Sequence, residues 1–357
     1  MDRCSTLTVR GHEDFSLVRS LGDPEKALLN LSMTTATADV ALEGPLKLAL
    51  DNGITEDEIQ DIVNFAWIAG HADRAKELSR LVAQHRGFER PATSVVKLGD
   101  HETLVRDTAP NSTGVPIVLL RALTYDGSMW RTVYPSLSKA SRIIMHDIRG
   151  FGFARDAPLT TSIDQVADDL KCLLDRLNVP RADIYGLSYG GVIAQTFAVR
   201  HAPSTRSIAI LGSLPKGSRI LLDRAVQAET HGMERLVSPT LTRWFSPATI
   251  PCNTWQVRYG RTCIRRTKVE HWAAAWRLMA TFDIVDRLPE IKVPVLAVAG
   301  AKDVSTPPPL LKLIAERTGG KYVELSEGTH MMNIEQAEEV VQVLAEFRRE
   351  VDNKAAA

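Results

Sequence analysis

The sequence is poor in cysteine: its 357 residues hold only Cys4, Cys172, Cys252 and Cys263, with no C-x-x-C pair among them. That spacing argues against a disulfide framework and against a zinc site, so no metal is expected and a reducing, cytoplasmic location is. No apolar run approaches the ~18 residues of a membrane span. The opening Met1-Asp2-Arg3-Cys4-Ser5-Thr6 leads into no apolar stretch of a secretory signal. Charge of one sign is lacking as well. The 43 basic and 43 acidic residues cancel, so no sequence-wide field favours nucleic acid or an anionic membrane as partner. What is present is ordinary globular usage, in a chain longer than one average domain. One large α/β domain or two unequal domains are the readings that length allows.

Over 24–85 apolar residues recur at spacings of three and four, as in Ala27, Leu28 and Leu31, without β-branched alternation. Thr55 followed by Glu58 reads as a capping box opening one helix. After Gly87-Phe88-Glu89-Arg90-Pro91, short apolar runs alternate with amphipathic ones, the βαβ pattern of a mostly parallel sheet. The expected organisation is a small all-helical domain over 1–90 and an α/β domain over 91–357. Eight strands are predicted at 95–98, 103–107, 116–122, 142–147, 182–187, 207–211, 295–299 and 322–325. Helices are predicted at 128–137, 163–177, 189–201, 309–317 and 334–351. The stretch 215–288 is helical throughout and holds four of the six tryptophans, Trp244, Trp255, Trp272 and Trp276. Inserted between two strands, it reads as a lid over the sheet's carboxyl edge, where ligands bind in such folds.

Chemistry is carried first by Gly186-Leu187-Ser188-Tyr189-Gly190-Gly191, directly after a strand and directly before a helix. A nucleophile on so tight a turn needs glycine on both flanks, because side chains there would collide. The turn exposes the Ser188 oxygen and aims the Tyr189 N–H at a developing oxyanion. A serine needs a base. Of nine histidines, His330 follows the last strand and so projects from the same sheet edge, while His146 reads as buried and structural. The order Ser, acid, His places the acid between 188 and 330. Asp303, just after the strand at 295–299, fits, and would fix the His330 tautomer. The loop after the third strand should supply the second oxyanion donor, for which the Leu123 N–H is the candidate. Arg121 in that loop is open to two readings, a substrate carboxylate or a structural acid.

Two features are set aside. Gly150-Phe151-Gly152-Phe153-Ala154 looks like a dinucleotide fingerprint, but Arg155 takes the third glycine's place and Pro158 stands where a helix should begin, so no cofactor is expected. Arg258, Arg261, Arg265, Arg266 and Lys268 read chiefly as a solvated helix face, with anion attraction as the lesser alternative.

Residues from about 93 to 350 resemble an α/β-hydrolase, and among those the 3-oxoadipate enol-lactone hydrolases. The segments that carry this are Asp147-Ile148-Arg149-Gly150-Phe151-Gly152, the Ser188 turn with Ile193-Ala194-Gln195, Gly232-Met233-Glu234-Arg235-Leu236 with Arg243-Trp244-Phe245-Ser246-Pro247, and Asp303 through Thr306-Pro307-Pro308 to His330 and Asn333-Ile334-Glu335-Gln336. The resemblance implies the α/β-hydrolase fold, an eight-stranded mostly parallel sheet with a helical lid at about 215–288. Where these enzymes usually place His-Gly or Asn-Ser, this chain has Arg121-Ala122.

Residues 24–85 are similar to part of the carboxymuconolactone decarboxylase family, seen in Ala49-Leu50-Asp51-Asn52-Gly53-Ile54-Thr55-Glu56-Asp57-Glu58-Ile59 and in 66–70. The histidine expected before that Asn-Gly is replaced by Pro45. A helical unit this short buries a limited core, so an assembly module without chemistry is expected, giving a homo-oligomer through the surface of Ile59, Ile62, Val63, Phe65, Ala66 and Ile68, some of which must instead fill the module's own core.

The expected activity is a serine hydrolase opening a lactone, or cleaving a related ester, of a small carboxylated or polyketide-like metabolite. Arg243, Trp244, Trp272 and Trp276 are the expected substrate contacts from the lid, some of the tryptophans only packing it. Two alternatives keep the same fold: carbon–carbon hydrolysis or cyclisation of a 1,3-dicarbonyl compound, and a ligand receptor or scaffold with little turnover.

Overall fold

A computed structural model of the chain describes residues 22–37, 40–54, 56–86 and 91–356. The start of the chain with Cys4 and His12, the Thr55 cap and the junction at 87–90 lie outside the described residues. Contacts divide the chain into two compact units, Met1–Glu89 and Arg90–Ala357.

The first unit is helical: α1 (Asp23–Thr35), α2 (Glu43–Asp51), α3 (Glu56–Ile68) and α4 (Ala72–Arg86). Pro24, with Asp23 and Glu25 beside it, opens α1, where a missing N–H costs nothing and negative charge suits the helix dipole. Gly53 and Gly70 end α2 and α3 at positive φ, each followed by an N–H that reaches back to the helix (Ile54 N to Ala49 O, 3.0 Å; His71 N to Ala66 O, 2.8 Å). Leu31, Leu42, Leu46, Ile59 and Leu78 centre the core of this unit. Of the six positions expected to make an outward contact, Ile59, Ile62, Val63 and Ala66 are in that core instead. They share the 3.6-residue stripe that the unit must bury for itself. Phe65 and Ile68 remain outside, 66% and 86% exposed.

The second unit is built on one eight-stranded sheet: β1 (Ala92–Leu98), β2 (His101–Asp107), β3 (Ile117–Leu120), β4 (Ile143–His146), β5 (Ala182–Leu187), β6 (Thr205–Leu211), β7 (Val295–Gly300) and β8 (Lys321–Leu325), in spatial order β1-β2-β4-β3-β5-β6-β7-β8. Two of the sheet's seven pairings, β1–β2 and β2–β4, are antiparallel, and the other five are parallel. Strands β3, β4, β5 and β7 are buried along their whole length, as expected where helices cover both faces. From β3 the chain steps to β4 on one side, and β5 returns to the other. The carboxyl ends of β3 and β5 therefore form the switch point where the connecting loops part.

Helices α5 (Ile163–Arg176) and α6 (Tyr189–Arg200) follow β4 and β5, α10 (Pro308–Thr318) follows β7, and α11 (Ala337–Ala356) closes the chain. Between β6 and β7 lies the lid, α7 (Ile220–Trp244), α8 (Trp255–Arg266) and α9 (Val269–Thr281). The helix expected at 128–137 is instead a 3₁₀ turn, Gly127–Trp130, and a short helix, Tyr134–Leu137. Pro135 in its first turn suits a new start better than a continuation. The last helix likewise divides at Gln336 into Met332–Glu335 and α11. Among the described residues no helix is long and apolar enough to cross a membrane.

The glycines at 150 and 152 have structural reasons. Both take positive φ, turning the chain around the buried Asp147 carboxylate, which accepts from the Gly127 and Phe153 N–H groups and from Arg106. A Cβ at 152 would lie 2.5 Å from Asp147 Oδ2, and one at 150 would lie 2.4 Å from Nδ1 of His271 on α9.

Candidate active site

Three side chains meet at the carboxyl edge of the sheet. Ser188 stands between β5 and α6 with φ 56° and ψ −114°, a conformation a serine holds only when its surroundings impose it, at a cost of about 1–3 kcal/mol. The surroundings are close backbone: a Cβ at Gly186 would lie 2.2 Å from Gly190 O, and one at Gly190 would lie 2.4 Å from Leu120 O. The Ser188 N–H donates to Leu211 O (2.9 Å), and Ser213 Oγ donates to Ser188 O (2.7 Å), so the turn is tied to β6 at both ends.

His330, in the turn after β8, sets Nε2 3.0 Å from Ser188 Oγ and Nδ1 2.8 Å from Asp303 Oδ2. Asp303, after β7, is buried and fully engaged. It accepts from the Ser305 and Thr306 N–H groups at 2.7 and 3.0 Å and from Thr306 Oγ1 at 2.6 Å. Burial alone would push its carboxyl up, but the His330 ring and the hydrogen bonds from His330 and Thr306 outweigh that and hold it below the ordinary aspartate value. Such a carboxylate can orient an imidazole and stabilise its cation. In the sequence Thr306 has a place in the resemblance but no role, and Ser213 has neither; the D-x-x-T spacing after β7 is the local signal that points to the first.

Leu123 follows β3 and Tyr189 follows Ser188, so the two expected oxyanion donors flank the switch point. Neither N–H is committed to a backbone acceptor outside the regular elements. Next to Leu123, Thr124 takes φ 71° and its hydroxyl is buried without a partner.

Arg121 corrects both of its readings. It is fully buried and meets neither a ligand-accessible space nor an acid: Nη1 donates to Ala122 O (2.9 Å), Nη2 to Ile148 O (3.1 Å), and the guanidinium lies 4.4 Å from the centre of the Phe151 ring. Burial pushes its pKa down to about 10. Its carbonyl acceptors belong to the backbone of its own loop and the one after β4, so it fastens those loops together. His146 is buried as expected, and burial with Arg121 and His101 nearby takes it down to about 3, so it is neutral at pH 7.

On the lid, the ring of Trp244 faces His330 with centroids 6.1 Å apart, and its carbonyl accepts from Met331 N at 3.1 Å. Trp272 is 1% exposed, with its indole N–H on Arg224 O (2.9 Å) and its ring edge-on to Trp276. It packs the lid. Trp276 and Arg243 both carry buried N–H groups, Nε1 and Nε respectively, without an acceptor among the described residues. In the basic stretch, Arg265 pairs with Glu234, Lys268 with Asp156, and Arg261 bonds Asn253 Oδ1. Among the described residues no cluster of three His, Cys, Asp or Glu side chains is placed to hold a metal.

Residues 117–343 match a family described as the alpha/beta hydrolase family. The chain is 28% identical over 240 residues to 3-oxoadipate enol-lactonase 1 of Acinetobacter baylyi, covering 66% of this chain and 89% of that protein. The crystal structure of the enol-lactonase from Burkholderia xenovorans LB400 superposes with a TM-score of 0.68 at 30% identity, over 72% of this chain and all of the other. A shorter likeness, 39% over 85 residues, links 24% of this chain to 30% of 2-hydroxymuconate semialdehyde hydrolase from a Pseudomonas species.

Proposed function

The chain belongs to the alpha/beta hydrolase family and is an ester or lactone hydrolase, and from that premise we propose that Ser188, His330 and Asp303 form its catalytic triad, opening a lactone or related ester of a small carboxylated or polyketide-like metabolite. The observation that carries this reading is the unbroken line from Ser188 Oγ through His330 to Asp303, at 3.0 and 2.8 Å. Ser188 Oγ attacks the carbonyl carbon as His330 Nε2 takes its proton. The oxyanion sits between the Leu123 and Tyr189 N–H groups. As the tetrahedral intermediate collapses, the ring C–O bond breaks and His330 returns the proton to the leaving oxygen, which in a lactone stays attached to the acyl-enzyme. An enol released in this way becomes a ketone. Water, deprotonated by His330, then frees the acid. The scheme uses no metal or organic cofactor.

Ser188→Ala tests it. Turnover of lactones and activated esters should fall by at least ~10³-fold, and a fluorophosphonate should label the wild type at Ser188 and leave the variant unlabelled. Wild-type turnover in the variant would end the serine mechanism. The likeness to 2-hydroxymuconate semialdehyde hydrolase supports a second reading, in which the same serine and histidine break a carbon–carbon bond of a 1,3-dicarbonyl compound. Product analysis against a panel of lactones and diketones separates the two. For the first unit, the exposure of Phe65 and Ile68 supports an assembly role giving a homo-oligomer. Charged replacements at both should reduce the mass seen by light scattering.

A further inference from the structure

The loop expected to supply the second oxyanion donor draws its support from two sources. Its first residues are fixed by the sheet edge. Leu120 O and Arg121 O pass so close to the Ser188 turn that a Cβ at Gly190 would lie 2.4 and 2.9 Å from them, and the Ala122 N–H reaches Met129 Sδ at 3.1 Å. Beyond that point the backbone support stops. Among the described residues no backbone–backbone hydrogen bond engages Leu123, Thr124 or Tyr125. Thr124 is moreover β-branched at φ 71°, a conformation that persists only where its surroundings impose it.

What presses on these residues is the lid. The Tyr125 ring lies 5.3 Å from that of Tyr259 on α8 and 5.7 Å from that of Trp244 at the end of α7, centre to centre. Its hydroxyl stands against the α8 backbone, where a Cβ at Gly260 would lie 2.7 Å from it. One residue on, Asp126 Oδ1 accepts from the Tyr259 hydroxyl at 2.8 Å and from the Ser128 N–H at 2.8 Å, the second bond capping the turn Gly127–Trp130. Arg131, just past that turn, sets its guanidinium 5.1 and 5.2 Å from the ring centres of Trp255 and Tyr259, which are one turn apart on α8. Ring contacts tolerate sliding. A hydrogen bond to a carboxylate is directional and charge-assisted, so the Tyr259–Asp126 bond is the contact that sets position.

We propose that Tyr259 is a positioning residue for catalysis: its hydrogen bond to Asp126 sets the place of the loop after β3, and with it the Leu123 N–H, so that this oxyanion donor is in register only when α8 is seated. The reacting groups stay at the strand ends, and the lid acts through one of their loops. An oxyanion hole works only where its donors already point at the developing charge, and a displacement of about 1 Å can cost ~10²-fold in rate. The same seating carries Trp244, whose ring faces both Tyr125 and His330. This inference rests on the ester or lactone reading above.

Tyr259→Phe tests it, removing one oxygen and keeping the ring. With p-nitrophenyl butyrate, kcat should fall by ~10–100-fold while KM stays within about threefold. Benzeneboronic acid adds to Ser188 Oγ and places an oxygen where the oxyanion forms, so its affinity should fall by the same factor as kcat/KM. A general loosening of the lid would not tie the loss to the transition state in this way. Asp126→Ala should lose at least as much as Tyr259→Phe, and Asp126→Asn, which keeps an acceptor, should lose less. Tyr259→Phe added to Asp126→Ala should cost less than about twofold more, because the two side chains act as one unit. A kcat for Tyr259→Phe within about twofold of the wild type, a loss carried by KM, or full additivity of the two substitutions would overturn the role. Hydrogen exchange read by mass spectrometry follows the joint without turnover: Tyr259→Phe should speed exchange in the peptide covering 121–128, and unchanged exchange there overturns the proposal. If the wild type cleaves no ester and no fluorophosphonate reaches Ser188, the hydrolase reading has failed, and exchange still decides whether Tyr259 sets the loop.

Discussion

The Ser188–His330–Asp303 line at the sheet edge and the buried donors of the lid are partnered differently. At the edge, Ser188, His330, Asp303, Thr306 and Ser213 are matched among themselves, each donor with an acceptor at 2.6–3.0 Å. In the lid, Arg243 Nε and Trp276 Nε1 are buried donors that the described part of the protein does not satisfy. A matched set is organised before the substrate arrives and needs no rearrangement as charge develops. On the reading proposed here, bond breaking belongs to the ends of the strands and substrate choice to the lid.

Breaking the matched side should have the larger effect. Asp303→Asn keeps the size of the side chain but removes the negative charge and the correct acceptor for His330 Nδ1. Turnover should fall by ~10²–10⁴-fold, by the same factor for neutral and carboxylated esters in steady-state kinetics. A loss confined to carboxylated esters would mean that Asp303 belongs to the binding side. The unmatched side should yield a smaller, selective loss. Arg243→Ala should raise KM for a carboxylated ester about tenfold and that for its neutral counterpart by no more than about threefold, and equal losses would remove its anion-binding role.

The smallest expected effect is on acid stability. Asp303 titrates below its unfolded value, so its contribution is complete above about pH 4 and is lost as pH falls through the lower folded value. Urea unfolding at pH 6 and pH 3 should therefore show a steeper acid loss for the wild type than for Asp303→Asn. Parallel losses would show that the carboxylate is not held as described.

Much of this was legible because it is local. The alternation of β-branched runs with amphipathic ones gives the sheet, and Ser188, Asp303 and His330 each follow a strand closely, so their common edge follows from the parallel order. The limits of the reading are non-local. Nothing near Arg224 distinguishes it from Arg265 or Arg277; only the fold shows that the latter two have glutamates beside them. Arg121 offered a charge in a promising loop, and its burial against Phe151 depends on a turn thirty residues away. In α3 the apolar positions were visible, yet which of them face inward is settled by α1, α2 and α4.

His271 of α9 occupies the place a side chain at position 150 would fill, and its ring lies 6.3 Å from that of Phe151. The joint between lid and sheet is thus keyed by a missing methyl group. A lid grafted onto a related scaffold would seat in this way only where the receiving turn also has glycine. A methyl group at 150 would stand 2.4 Å from His271 Nδ1 on a residue at φ 85°, so either the ring or the turn would have to shift.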